Sequence, residues 1–180
     1  LTSSMFPAIL ILTLAWTLKS MTDSLGAAEY VSGVVANSAA GLQQLLPAII
    51  FIVAAFLAFA TGTSWGTFGI LIPICIAVFP AAEPLRIISI SACMAGAVCG
   101  DHISPISDTT IMASAGAECK HVHHVSSQLP YALTVATVSF ITFLVAGFTQ
   151  QLGIFGSAVV SWICGISLLA GSLYVLKKKL

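Results

Sequence analysis

Between Cys99 and Thr110 the sequence reads CGDHISPISDTT. Those twelve residues hold two carboxylates, one imidazole, four hydroxyls and a proline. Carboxylate, hydroxyl and backbone carbonyl oxygens are what hard cations take as ligands. Asp101 and Asp108 supply charge, His102 a titratable ring, and Ser104, Ser107 and Thr109 neutral oxygens. A carboxylate in such a cluster offers the same oxygens to a proton and to a sodium ion. Competition between the two is what an exchanger with one shared site requires. Asp108 followed by Thr109 and Thr110 reads as an N-cap and the first turn of a helix.

A second polar cluster, TGTSWG at 61–66, brings Thr61, Thr63 and Ser64. Its glycines and hydroxyls also suit any tight reversal of the chain. Asp23 stands four residues after Lys19, as a headgroup-level ion pair or as a proton-relay or gating residue. His121, His123 and His124 have the side chains of a metal site, but no other ligand accompanies them at a metal-binding spacing, so no metal beyond transported sodium is expected.

The setting of these clusters is hydrocarbon. Of the 180 residues, 58% are hydrophobic and 7% are charged, against about 25% charged in a soluble domain. Only an integral membrane protein has this balance, and membrane lipid is its expected surroundings. The formal net charge is zero, which gives no reason to expect nucleic acid as a partner. Five scattered cysteines without a C-x-x-C pair suit buried small side chains better than disulfides or metal ligands. The chain opens on Leu1 with no basic segment or cleavage site, so it is expected to be the C-terminal part of a longer protein.

Apolar blocks must position the clusters. A first helix is expected at 5–22, followed by a small-residue stretch of interfacial character. A hairpin is expected at 45–79, its limbs 45–60 and 67–79 about 20–24 Å long as helix, short of a hydrocarbon core of about 30 Å. A re-entrant hairpin with its tip inside the membrane follows. The block 86–116 would measure roughly 46 Å as one helix, and Pro105 disfavours helix at the residue before it. A broken helix is expected, unwound over 100–107, with Asp101 near half depth and a second short helix from Asp108. An ordinary extramembrane loop is the alternative, but its second limb would be too short to span. Residues 118–128 read as a polar loop, and 129–148 and 156–176 as spanning helices. Lys177, Lys178 and Lys179 favour a cytoplasmic C-terminus. The fold class is an all-α integral membrane bundle in a single membrane domain.

The strings TGTSWGTFGILIPI and CGDHISPISDTTIMASAGAECKHVHHVSSQLPYAL, with AWTLKSMTDSLGAAEYV before them, resemble the NhaC-type sodium/proton antiporter family over most of residues 5–140. The resemblance implies a transporter of two inverted halves, of which this chain is one, in the bacterial inner membrane. It implies sodium and protons as transported ions, with no cofactor. The residues it points to are Asp101, His102, Ser104, Ser107, Asp108 and Thr109 in the broken helix, Thr61, Thr63 and Ser64 at the hairpin tip, and Asp23. About half of a typical member is absent upstream, so a missing N-terminal half or a partner subunit is expected, and a homo-oligomer also fits.

The leading expectation is sodium/proton antiport, without enzymatic activity. The alternative is a sodium-coupled carrier or exchanger of a small organic acid or amino acid, such as malate or lactate. An intramembrane aspartyl protease would need two aspartates face to face sharing a proton. Asp101 and Asp108 lie on one segment with Pro105 between them, so Asp23 would have to serve as the partner. A purely structural role gives no reason to place carboxylates in hydrocarbon.

Overall fold

The computed structural model describes residues 40–179 and, upstream, Thr13, Thr17, Ser20, Met21 and residues 24–26. Most of the expected helix at 5–22, together with Lys19 and Asp23, lies outside the described residues. Six helices follow in order: α1 (Ala40–Thr61), α2 (Ser64–Val78), α3 (Pro84–Ile103), α4 (Asp108–Gly116), α5 (His121–Phe148) and α6 (Gly153–Lys179). A 3-10 turn at Gln150–Leu152 joins the last two, and no strand occurs among the described residues. Four helical stretches, Leu42–Thr61, Pro84–Ile103, His121–Phe148 and Gln150–Val175, are long and apolar enough to cross a membrane. This is an all-α, multi-pass membrane protein.

Small residues set how the helices meet. In hydrocarbon, apolar side chains gain little by leaving lipid, so helices associate through close backbone approach and shape fit. A Cβ on Gly96 would meet the Phe51 carbonyl, and one on Gly100 would meet the Ala55 carbonyl and the Phe59 amide. Ala54, Ala58, Cys93 and Ala97 fill the same seam, all buried. The pairings advance together along both chains, so α1 and α3 run parallel with their backbones in contact.

The other helices are layered on this pair. Helix α2 returns antiparallel to α3, with Cys75 Sγ 4.0 Å from the Ser89 carbonyl. Helix α5 runs antiparallel to α1: Gly147 abuts the Gln44 carbonyl, and the Phe51 and Phe143 rings stand 5.6 Å apart. Helix α6 doubles back along α5, where Gly165 packs on Thr142 and Ser157 Oγ donates to the Ala146 carbonyl at 3.0 Å.

Element ends differ from the sequence expectation in ways with local causes. The hairpin tip is tighter than TGTSWG, because Gly62 takes φ +67° and Thr63 caps α2, accepting from the Gly66 amide at 3.4 Å. Ser64 is therefore already helical. The first limb extends from Ala40 and is a 22-residue helix, longer than expected. Unwinding in the broken helix is confined to 104–107, since Asp101 and His102 remain in the last turn of α3. Pro105 removes one N–H and restricts only its predecessor, and the Ser104 amide still reaches the Asp101 carbonyl at 3.1 Å. The expected polar loop at 118–128 is mostly helix: Lys120 stands at the N-cap position of α5, without a side-chain capping bond, and the histidines occupy its first turn.

The α1–α3 seam predicts a contrast between two glycines. Gly100→Ala is expected to cost about 1–3 kcal/mol of overpacking and lower the thermal midpoint of the detergent-solubilised protein. Gly171→Ala, with open space around its added methyl, is expected to leave that midpoint unchanged or slightly raised.

Candidate functional site

The break between α3 and α4 lies against the tip of the α1–α2 hairpin. A Cβ on Gly62 would come within 2.9 Å of both Ile106 Cγ1 and the Ile106 carbonyl oxygen, so only glycine lets the two turns touch. Ser104 joins them by a hydrogen bond. Its buried Oγ donates to the Phe59 carbonyl in the last turn of α1 at 2.7 Å, and accepts from the Ile106 amide at 3.4 Å. One hydroxyl thus serves a carbonyl left over at the end of α1 and an amide left over in the break.

Inside this junction lies a chain of oxygens. Ser107 Oγ donates to Asp101 Oδ1 at 2.6 Å and stands 2.7 Å from Thr109 Oγ1. A hydroxyl has a single proton, so with Ser107 donating to Asp101 the Thr109 hydroxyl donates to Ser107. Asp101 is 8% exposed and Ser107 is fully buried. The two aspartates of the motif are therefore in different environments. Asp101 is buried and held by a hydroxyl, whereas Asp108 is exposed in the first turn of α4, where a negative charge suits the helix dipole. The N-cap of α4 is Ser107, not Asp108 as the sequence suggests. Ser107 occupies that position but turns its side chain to Asp101 instead of capping α4.

The other expected site residues divide. Thr63 and Ser64 lie at the tip beside the break, Thr63 engaged in capping α2 and Ser64 buried. Thr61 is exposed and bonded back to the Leu57 carbonyl at 2.8 Å, within its own helix. The exposed His102 side chain lines a groove of about 410 Å³ between α3 and α5, with Phe51, Cys99 and Ser139. Asp23 lies outside the described residues.

Helix α5 closes the junction from the other side. The His102 carbonyl accepts from Gln128 Nε2 at 2.7 Å and from Thr110 Oγ1 at 3.1 Å. The Pro105 carbonyl lies 2.7 Å from His121 Nε2, and His121 Nδ1 lies 3.0 Å from Ser114 Oγ on α4. Level with Gln128, the His102 carbonyl stands about 30 Å of helix from Phe148.

Known proteins place this arrangement in a lineage. The signature of the Na+/H+ antiporter family matches residues 2–148, covering hairpin, break and most of the described bundle. The chain belongs to the Na+/H+ antiporter family. An uncharacterised protein of Haemophilus influenzae is 49% identical over 88% of the chain, a match that spans 30% of that relative. The malate-2H+/Na+-lactate antiporter of Bacillus subtilis is 34% identical over 60% of the chain, and the arginine/ornithine antiporter of Halobacterium salinarum 33% identical over 63%. Each of these two matches covers 24% of the relative. The chain thus spans 24–30% of the length of these curated relatives. No solved structure matches it.

Within this antiporter-family chain, Gln128 and His121 bond the break, the first passed over by the sequence reading and the second weighed there only as a metal ligand. Their seven-residue spacing, two helical turns, was the available signal. It stays hidden while 118–128 reads as a loop, since a shared face exists only once the segment is helical.

Ser104 gives the junction a test. Ser104→Ala leaves the Phe59 carbonyl without its side-chain donor, and is expected to cost about 1–3 kcal/mol, read as a lower thermal midpoint in detergent.

Proposed function

We propose that this chain forms part of a secondary transporter that exchanges sodium for protons at a membrane-embedded site centred on Asp101. One observation carries the reading: a buried carboxylate, bonded by Ser107 and through it to Thr109, at a helix break that abuts a hairpin tip. A carboxylate in such surroundings is tolerated when a proton or a cation neutralises it. The hydroxyls of Ser107 and Thr109 can turn their lone pairs to a sodium ion, or their protons to the carboxylate. Discontinuous helices supply free carbonyls and helix ends beside such sites in other transporters. Asp108, exposed at the start of α4, serves as the outer carboxylate that draws cations toward Asp101. The remainder of the transport path comes from an upstream half or a partner subunit, as a homo-oligomer or otherwise.

The bacterial inner membrane, with a cytoplasmic C-terminus, is the proposed location. Helices α5 and α6 are antiparallel and of similar length, so Lys120 and Lys177 fall at the same end, which supports that orientation by the positive-inside tendency.

A second reading has its own support. Relatives named for malate/lactate and arginine/ornithine antiport favour sodium- or proton-coupled exchange of a small organic acid or amino acid on the same scaffold. The N-terminal turn of α4 is where the carboxylate of such a solute would dock.

Everted vesicles carrying the full-length transporter separate these readings. Asp101→Asn is expected to abolish sodium-dependent proton movement, and undiminished exchange in that variant overturns the assignment to Asp101. Proton movement by the unsubstituted protein that begins only when malate, lactate or arginine is added decides for the second reading.

A further inference from the structure

The break frees two carbonyls on the side facing α5. In an unbroken helix the His102 carbonyl would accept from the amide of Ile106 and the Pro105 carbonyl from that of Thr109. Here the Ile106 amide turns to Ser104 Oγ. Away from bulk water such carbonyls need other donors. Both receive a side chain from one helix: Gln128 Nε2 to His102 and His121 Nε2 to Pro105, each at 2.7 Å. These two residues are seven apart, so they project from one face of α5. A carbonyl only accepts, so the His121 proton at this contact sits on Nε2. The other ring nitrogen meets Ser114, which ties α4 to the same imidazole. Thr110 adds a second bond to the His102 carbonyl from within α4.

We infer that His121 and Gln128 are positioning residues, a two-point clamp through which α5 fixes the broken helix and so the spacing of Asp101, Ser107 and Thr109. Neither side chain is bonded to that oxygen chain. Each acts through a main-chain carbonyl on either side of Ser104, the residue that links the break to the hairpin. The geometry of the cation ligands is therefore set by the register of α5 against α3. A shift of α5 by one helical turn, about 5.4 Å, removes both donors together. This inference rests on the proposed role of Asp101 only for its effect on transport. The clamp itself is a statement about the backbone of residues 102–116.

Two readouts on the full-length transporter test the clamp separately from the transport reading. The first is backbone hydrogen exchange across 104–116 in detergent or nanodiscs, compared for the parent, His121→Leu, Gln128→Leu and His121→Gln. The leucine variants are expected to speed exchange in this segment about five- to tenfold, the effect of one lost side-chain bond, and His121→Gln to stay near the parent because its amide can still donate to Pro105. The second is sodium-dependent proton movement in vesicles. There the leucine variants are expected to raise the sodium KM about five- to tenfold while the maximal rate stays within about twofold of the parent. Unchanged exchange in both leucine variants overturns the clamp. So does a His121→Gln protein that behaves like His121→Leu, because shape rather than the donated bond would then matter. Faster exchange in a transporter whose parent moves no sodium upholds the clamp and overturns the transport reading alone. If the leucine variants fail to fold, Gln128→Met takes their place, keeping the side chain's length without its donor: faster exchange across 104–116 supports the inference, and parental exchange there overturns it.

Discussion

Away from water, every backbone N–H and C=O must find a partner inside the protein, and a proline in a buried helix leaves several without one. Most of what is distinctive in this chain follows from how the groups freed around Pro105 are served. The Ser104 amide turns back to Asp101, the Ile106 amide takes the Ser104 hydroxyl, and the two exposed carbonyls take donors from α4 and α5. Because these partners come from several elements, satisfying the backbone also ties those elements together. Ser107 stands at the N-cap of α4 but gives its hydroxyl to the Asp101 carboxylate instead of to the helix end.

Packing makes this network geometrically feasible. The Gly96 and Gly100 backbones lie directly on α1, which brings the end of α1 within reach of Ser104. A bulkier seam would hold the helices further apart and leave the Phe59 carbonyl beyond the serine. Glycine acts again at the tip, where the positive φ of Gly62 makes the turn and its missing side chain leaves room for Ile106. Two separate uses of glycine, close approach and a left-handed turn, thus bring the two interrupted elements of the chain into contact.

The membrane class, the hairpin and the helix break were legible because each rests on a strong local signal: hydropathy, Gly-rich reversal and Pro105. The pairing of Ser107 with Asp101 was only half legible. The residue types announced an oxygen cluster, but the identity of the N-cap depends on which hydroxyl finds a better partner elsewhere. The first two turns of α5 were not legible, though its course from 129 to 148 was. His121, His123, Ser126 and Ser127 form a polar run that reads as loop by composition, yet they stand in the first turns of α5. That misreading hid His121 and Gln128, whose donors matter through carbonyls that no sequence pattern marks. The parallel course of α1 and α3 was likewise invisible, since glycine and alanine at helical spacing do not name their partner.

Consider what the bond from Ser104 to Phe59 means for motion. It joins residues 45 positions apart in sequence across a seam where the backbones already touch. The hairpin tip cannot be withdrawn from the break without sliding the whole of α1 along α3, because only glycine, alanine and cysteine lie between them and no larger side chain can absorb a local shift. Hairpin and broken helix are therefore coupled as one stiff body, which a displacing force would move as a whole against its surroundings and not bend within.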